Sequence, residues 1–332
     1  RWYAEALRRN DLPGAAVPIL RRVQDDQRQL DGSDTPRVRN AIFQLGLALA
    51  EAGELGEALT LLRETLALEV KHNGSDDNED RRAYRGAFAA VLGFARRTDE
   101  ALALLPRSAA GPQPLPETPS RGEMIDHLRH ARLLAMTGDA RGAARMADDA
   151  AQRADEAHAQ YRAEALHVAA FNARLQRRNT PALALAQQAW SDAGRTKARP
   201  SIQAAMAAEL AAALIERGDL AQAEPIVRQS LALFEQAQVV PSPRSATAWI
   251  VQARLHLQAG RTDEAEAALR PLRVAWEAAH PQSDWHGETL HWLARVQARR
   301  GDVQGQRALD HLAAPLLRAS PLPALRALVA PP

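Results

Sequence analysis

The sequence predicts an all-α solenoid of about eight antiparallel helix hairpins, on three observations. First, small residues recur in pairs twelve positions apart: Gly46 and Ala58, Ala89 and Ala101, Ala131 and Ala143, Ala170 and Ala182, Ala211 and Ala223, Ala253 and Ala265. Second, five residues before the later member of most pairs stands a turn signal, as in Gly53-Glu54, Gly138-Asp139, Gly218-Asp219 and Gly260-Arg261. Third, Ala, Leu, Arg, Gln and Glu are strong helix formers, and no alternation with β-branched residues persists. Two helices approach closely only where both lack bulk at the crossing, so each small pair marks a hairpin. Its recurrence marks an array.

The later small residue serves as a ruler, at positions 15, 58, 101, 143, 182, 223, 265 and 306. The steps are 43, 43, 42, 39, 41, 42 and 41, and seven of the eight ruler residues are Ala. The eighth is Gln306, in a copy that keeps Ala294 and a turn at Gly301-Asp302. In order, the first hairpin covers roughly 1–30, with a short first helix and a turn near Asn10-Asp11. The others run at about 36–72, 80–107, 122–159, 161–192, 200–238, 244–280 and 284–318. Breakers fall between hairpins, at Gly74-Ser75, Gly111-Pro112, Arg199-Pro200, Pro241-Ser242-Pro243 and His280-Pro281. Ser108–Ser120 holds four prolines and is the expected flexible joint of an array spanning 1–318. Residues 319–332 form a capping helix or a linker. Leu322, Leu325, Leu328 and Val329 space one amphipathic helix over Pro321–Ala330, and a bare solenoid end exposes core.

The 332 residues are 46% hydrophobic but only 4% aromatic, which predicts a core of Leu and Ala. A formal charge of +2, without a concentrated basic block, argues against direct nucleic-acid binding. Of the 42 basic residues only Lys71 and Lys197 are Lys. A GC-rich genome explains that bias, as does selection for bidentate carboxylate recognition. The absence of Cys excludes disulfides, thiolate metal sites and a Cys nucleophile. No apolar run reaches membrane-spanning length. There is no initiator Met or signal peptide, and Arg1-Trp2-Tyr3 begins inside a helix, so an upstream segment is expected.

No P-loop, Gly-x-Ser-x-Gly elbow or His-Glu-x-x-His helix occurs, and neither catalysis nor a cofactor is expected. Asp76-Asp77-Asn78-Glu79-Asp80 lacks the central Gly of a calcium loop and reads as a solvated acidic turn. His127 and His130, with Glu123 one turn earlier, lie along one helix, where three ligands rarely close around an ion. They are expected between helices, without metal. Trp276, His280, Trp285, His286, His291 and Trp292 cluster late in the chain, but His286 and His291 lie about 140° apart around a helix. Trp276 and Trp292 are expected in the core.

Copy two, Ala41 to Arg63, resembles a tetratricopeptide repeat. Leu45, Gly46, Leu49, Gly53, Ala58 and Leu62 supply its large, small, large, turn, small and large positions. Copy seven matches through Trp249, Ala253, Gly260, Ala265 and Leu269, and departs at Gln252 and His256. Arg96 and Arg177 replace the turn Gly, and Val70 stands where the family often has Pro. The usual period is 34; the longer one here resembles the form found in kinesin light chains and many bacterial signalling proteins.

That resemblance implies a right-handed superhelix whose concave wall is lined by the first helix of each hairpin. The matching positions are Arg132; His167, Phe171 and Arg174; Ile250, Arg254 and Leu257; and His291 and Arg295. Copy two adds Phe43 and Leu47, and copy six adds Ala208, Ala212 and Ile215. The candidate groove is therefore Arg132, His167, Phe171, Arg174, Arg254, His291 and Arg295, with Glu164 and Glu288 partly offsetting the charge. It is expected to take an extended acidic segment or a chain terminus, with Arg as the carboxylate fork. The histidines would make binding strengthen as pH falls toward about 6.

The resemblance implies a non-catalytic interaction or sensor domain of a larger bacterial signalling protein, similar to the C-terminal regions of receptor serine/threonine kinases. A periplasmic placement is then expected ahead of a cytoplasmic one. The alternative is the helical effector-sensing part of a transcription regulator whose DNA-binding head lies upstream.

Overall fold

Eight times along the chain, one residue adopts left-handed backbone and ends the first helix of a hairpin. Five of these are Gly53, Gly138, Gly218, Gly260 and Gly301, with φ from 76° to 97°. The other three are Asp11, Arg96 and Arg177, at φ 56–57°. The bonding repeats as well: the next residue donates its N–H to the carbonyl five positions back at 2.8–3.0 Å, as in Glu54 to Leu49 and Arg178 to Ala173. This is the Schellman pattern, which satisfies carbonyls that the helix end leaves open. The turns expected from Gly are thus joined by three of the same geometry built on charged residues.

The computed structural model describes residues 2–32, 34–74, 78–105, 114–154, 159–238 and 241–329. Among them every regular element is a helix. They form two compact units, Arg1–Gln113 with Glu235–Val240, and Pro114–Phe234 with Pro241–Pro332. The first unit pairs α1 (Trp2–Arg9) with α2 (Pro13–Asp31), α3 (Pro36–Ala52) with α4 (Leu55–Asn73), and α5 (Glu79–Phe94) with α6 (Thr98–Leu104). The second pairs α7 (Arg121–Thr137) with α8 (Ala140–Arg153), α9 (Ala159–Leu175) with α10 (Asn179–Arg195), and α11 (Pro200–Arg217) with α12 (Leu220–Gln236). It continues with α13 (Ala246–Gln258) and α14 (Thr262–Ala279), α15 (Asp284–Arg300) and α16 (Val303–Arg318), and the short α17 (Pro323–Arg326). All eight expected hairpins are present.

Every small pair used to find the hairpins is buried. A Cβ on Gly46 would lie 3.0 Å from Leu62 Cγ, which shows how close α3 and α4 come. Copy one corrects the ruler: Ala15 is exposed, and the buried pair is Ala4 and Ala16. Only the short α1 and its Asp11 turn separated the two readings. In copy eight Ala294 is buried while Gln306 is half-buried and reaches Asp310, one turn on in its own helix, at 3.4 Å.

The expected joint at Ser108–Ser120 lies partly outside the described residues. Its described end is held: Leu115 is buried and donates its N–H to Asp149 Oδ2 at 2.7 Å, and Ser120 with Glu123 closes a capping box on α7. The acidic run expected at Asp76–Asp80 also lies partly outside. Within it, Asn78 caps α5 by accepting from the Arg81 N–H.

The helix expected at Pro321–Ala330 shortens to the four residues of α17. Leu322 and Leu325 pack with Leu290, Ala313 and Leu317 over the end of α15 and α16. The same cluster takes in Met136, at the end of α7, and Pro323 stands against Gly138. The tail therefore touches both the first and the last hairpin of the second unit. No helix among the described residues is long and apolar enough to cross a membrane.

Candidate functional site

In the second unit the first helices pack directly on one another in sequence, α7 on α9, α9 on α11, α11 on α13 and α13 on α15. They make one wall, because bulk is kept off the crossings and polar side chains project from the remaining face. Along α9 that face carries Glu164, His167, Phe171 and Arg174, which share a stripe at three- and four-residue steps. All four are half-buried.

Arg132 of α7 donates from Nη1 to His167 Nε2 at 3.1 Å, and its guanidinium lies 5.3 Å from the Phe171 ring centre. An Arg only donates, so Nε2 accepts and the His167 proton sits on Nδ1. Arg174 covers the same ring at 5.7 Å. It also forks onto α11, with Nε to Glu209 Oε1 at 2.6 Å and Nη2 to Glu209 Oε2 at 3.2 Å, and reaches Glu216 from Nη1 at 3.3 Å. Arg254 of α13 meets the same Glu216 oxygen at 3.2 Å and lies 5.5 Å over Trp292 of α15. His291 stands edge-on to Trp292, and Arg295 pairs with Asp310 of α16 at 2.7 and 2.8 Å.

Five of the expected residues, Arg132, His167, Phe171, Arg174 and Arg254, thus join one network through Glu209 and Glu216. His291 and Arg295 stand on the next helix, and His291 is buried there. Copy six differs from expectation. Ala208, Ala212 and Ile215 lie in the core, and the stripe one position on presents Glu209 and Glu216. Ile250, Leu257 and Phe43 are also buried. Trp276 is core, as expected, stacked at 6.2 Å on Trp285 and donating to Thr289 Oγ1 at 3.1 Å. Trp292, expected in the core, is only half-buried and forms part of the wall under Arg254.

These contacts change the electrostatic expectation. Three of the four wall arginines already hold carboxylates, so a uniformly basic wall does not form. Burial opposes the Arg174 charge, but Glu209 and Glu216 hold its guanidinium further toward the charged form than usual. Burial, with Arg132 and Arg174 beside it, pushes His167 down to about 3. Burial, then Arg295, lowers His291 as well. His167 therefore stays neutral near pH 6 and does not strengthen binding toward that pH, contrary to expectation. Glu209 and Glu216 lie about one repeat beyond Arg174, and an opposite-charge search at that spacing would have found them.

The histidines weighed as metal ligands sit apart from the wall. His127 and His130 are buried, His127 Nε2 lies 3.3 Å from Asp149 Oδ2, and burial lowers the His127 pKa. Glu123 is engaged in the α7 cap, and no metal-ligating group of three forms among the described residues.

Residues 203–270 match the family model described as tetratricopeptide repeat. No curated protein matches the chain. Among solved structures the chain is similar to a Rap protein complexed with competence and sporulation factor, at TM-score 0.58 and 14% identity, over 96% of this chain and 89% of that one. It is also similar to the Rap conjugation gene regulator of plasmid pLS20 in complex with the Phr* peptide, at TM-score 0.47 and 14% identity, over 84% and 74%. A putative kinesin light chain of Podosopora anserina with nearly identical TPR-like repeats follows at TM-score 0.31 and 18% identity, over 71% and 93%. Residues 203–270 thus carry the tetratricopeptide repeat, and one turn geometry closes all eight hairpins of an all-helical repeat fold.

Proposed function

We propose that this chain is a non-catalytic interaction module that holds an extended peptide or protein segment along the wall of α7, α9, α11, α13 and α15. The observation that carries the reading is the linked row Arg132–Phe171–Arg174–Glu216–Arg254–Trp292, which crosses five helices with half-buried side chains. Such a row offers flat aromatic and guanidinium faces and hydrogen-bonding edges, which suit an extended chain. The Rap protein of similar fold carries competence and sporulation factor, in agreement with a ligand-holding role.

The same reading places the module in a larger bacterial signalling protein of the receptor serine/threonine kinase kind, where occupancy biases an attached domain. The gene upstream of Arg1 tests that context: a membrane span and kinase there would support it, and a helix-turn-helix domain would support a transcription regulator instead.

The binding test uses positional-scanning pentapeptide pools, read by the thermal shift of the purified chain. Pools should stabilise the wild type, and Ala205→Trp, which adds bulk on α11 one turn before Glu209, should abolish the effect while its helical circular dichroism persists. Absence of any shift with the wild type, or an undiminished shift in the variant, rejects the wall as a binding surface.

A further inference from the structure

Stacked hairpins touch mainly their neighbours, and small rotations at each junction add up, so the two ends of a stack are free to drift apart. The second unit departs from this at its tail. Leu322 and Leu325 share one apolar cluster with Leu290, Ala313 and Leu317 of the last hairpin, and Met136 of α7, in the first hairpin, packs against that cluster. At the rim, a Cβ on Gly138 would lie 3.3 Å from Pro323 Cγ.

The two sides of the tail are held differently. Toward the last hairpin the grip is polar as well as apolar: buried Ser320 donates to Asp284 Oδ2 at 2.5 Å and accepts from the Leu322 N–H at 3.1 Å. Arg326 braces this turn by donating from Nη1 to the Ser320 carbonyl at 2.7 Å. Toward α7, among the described residues, the tail meets half-buried Met136 and touches exposed Gly138 through Pro323. The α7 seam is therefore the one that parts first. Met136 also stands four residues after Arg132, on the wall stripe of α7. A segment running along the wall to the end of α7 meets the same side chain that packs on the tail.

Resting on the peptide-segment reading above, we propose that the tail is an autoinhibitory clasp: it joins the last hairpin to the end of α7, and a segment bound along the wall displaces it from Met136. Tail and segment share one side chain, so each weakens the other. Opening the clasp strengthens binding by the same factor with which binding opens the clasp. Methionine suits a surface that exchanges partners, because its unbranched chain repacks readily.

The chain has no Cys, so a lock can be built across the seam without competing thiols. Gly138→Cys with Pro323→Cys faces two sulfurs across it, and Asp11, Arg96 and Arg177 show that this turn accepts a side chain. In dilute oxidised solution the pair should close within one chain, read by a tryptic mass map. Failure to close separates the tail from α7 and overturns the clasp. The pentapeptide pools are then titrated by thermal shift against the same double variant, oxidised and reduced. The reduced form should bind as the wild type does, and the oxidised form about tenfold or more weaker. Met136→Asp, which puts a carboxylate into the apolar seam, opens the clasp by a second route. Spin labels at the exposed positions Arg141 and Arg318 should then report a longer and broader distance than without that substitution, at unchanged helical circular dichroism. Equal affinity in the two redox states, or an unchanged distance, overturns the clasp and leaves the wall reading intact. No shift with any form, Met136→Asp included, removes both.

Discussion

Arg174 of α9 and Glu209 of α11 form a two-point fork, Nε to Oε1 at 2.6 Å and Nη2 to Oε2 at 3.2 Å, between adjacent hairpins. Glu209 is buried at 3% exposure, so the pair is shielded and the α9–α11 contact depends on it. Removing one partner strands the other. Glu209→Ala should destabilise the protein by about 3 kcal/mol, lessened by whatever Glu216 retains of Arg174. Urea unfolding checks this, and the double variant Arg174→Met with Glu209→Leu should recover most of the loss. A single variant as stable as the wild type would show the fork to be dispensable.

Arg177 closes the α9–α10 turn at φ 56°, where a side chain is strained and Gly is not. Arg177→Gly should therefore stabilise the protein by about 0.5–1 kcal/mol, and Gly218→Ala in the equivalent turn should destabilise it by about 1 kcal/mol. The midpoint of urea unfolding, at unchanged slope, is the measurement. Opposite signs for the two substitutions are the essential outcome.

Gly287 is buried in α15, where a Cβ would stand 2.8 Å from Leu316 Cβ and 3.2 Å from Leu317 Cγ. Leu316 Cβ is the root of a side chain and moves only with its helix. Ala normally favours a helix interior over Gly, but Gly287→Ala should here destabilise by about 2 kcal/mol by pushing α15 from α16. Thermal unfolding of that variant beside Gly194→Ala, where nothing lies near the added methyl, gives the comparison.

His167 sets a pH dependence. Folding holds it at about 3, below its ordinary value near 6.5, so the folded chain keeps it neutral while the unfolded chain takes up a proton. The stability it contributes is complete above about pH 6.5 and is lost as pH falls from there toward about 3. In urea unfolding between about pH 7.5 and 4.5, the wild type should lose up to about 1.4 kcal/mol per pH unit more than His167→Gln. Parallel curves would mean that His167 titrates normally in the folded chain.

Spacing alone located the hairpins, because close helix crossings admit only small residues and the helix ends need left-handed backbone. Where Gly fills that position the turn is visible in the sequence. Where Asp11, Arg96 or Arg177 fills it, repeat spacing places the turn, and the backbone adds that a side chain there takes the same left-handed conformation. The wall was legible in part. Arg132, His167, Phe171 and Arg174 fall on it by repeat position, but Glu209 and Glu216 were missed through a one-residue rotation of α11. A helix rich in Ala, such as α11, gives little contrast between its faces, so its rotation is not readable from polarity.

By itself, then, the chain determined an all-helical hairpin array, its period, and which first-helix residues share a face, since these follow from local sterics and 3.6-residue periodicity. Tertiary structure alone decided which charges meet across neighbouring repeats. Arg174 and Arg254 hold carboxylates, Arg132 does not, and His167 stays neutral, because pairing and desolvation depend on distances of a few ångströms between residues some 35 positions apart.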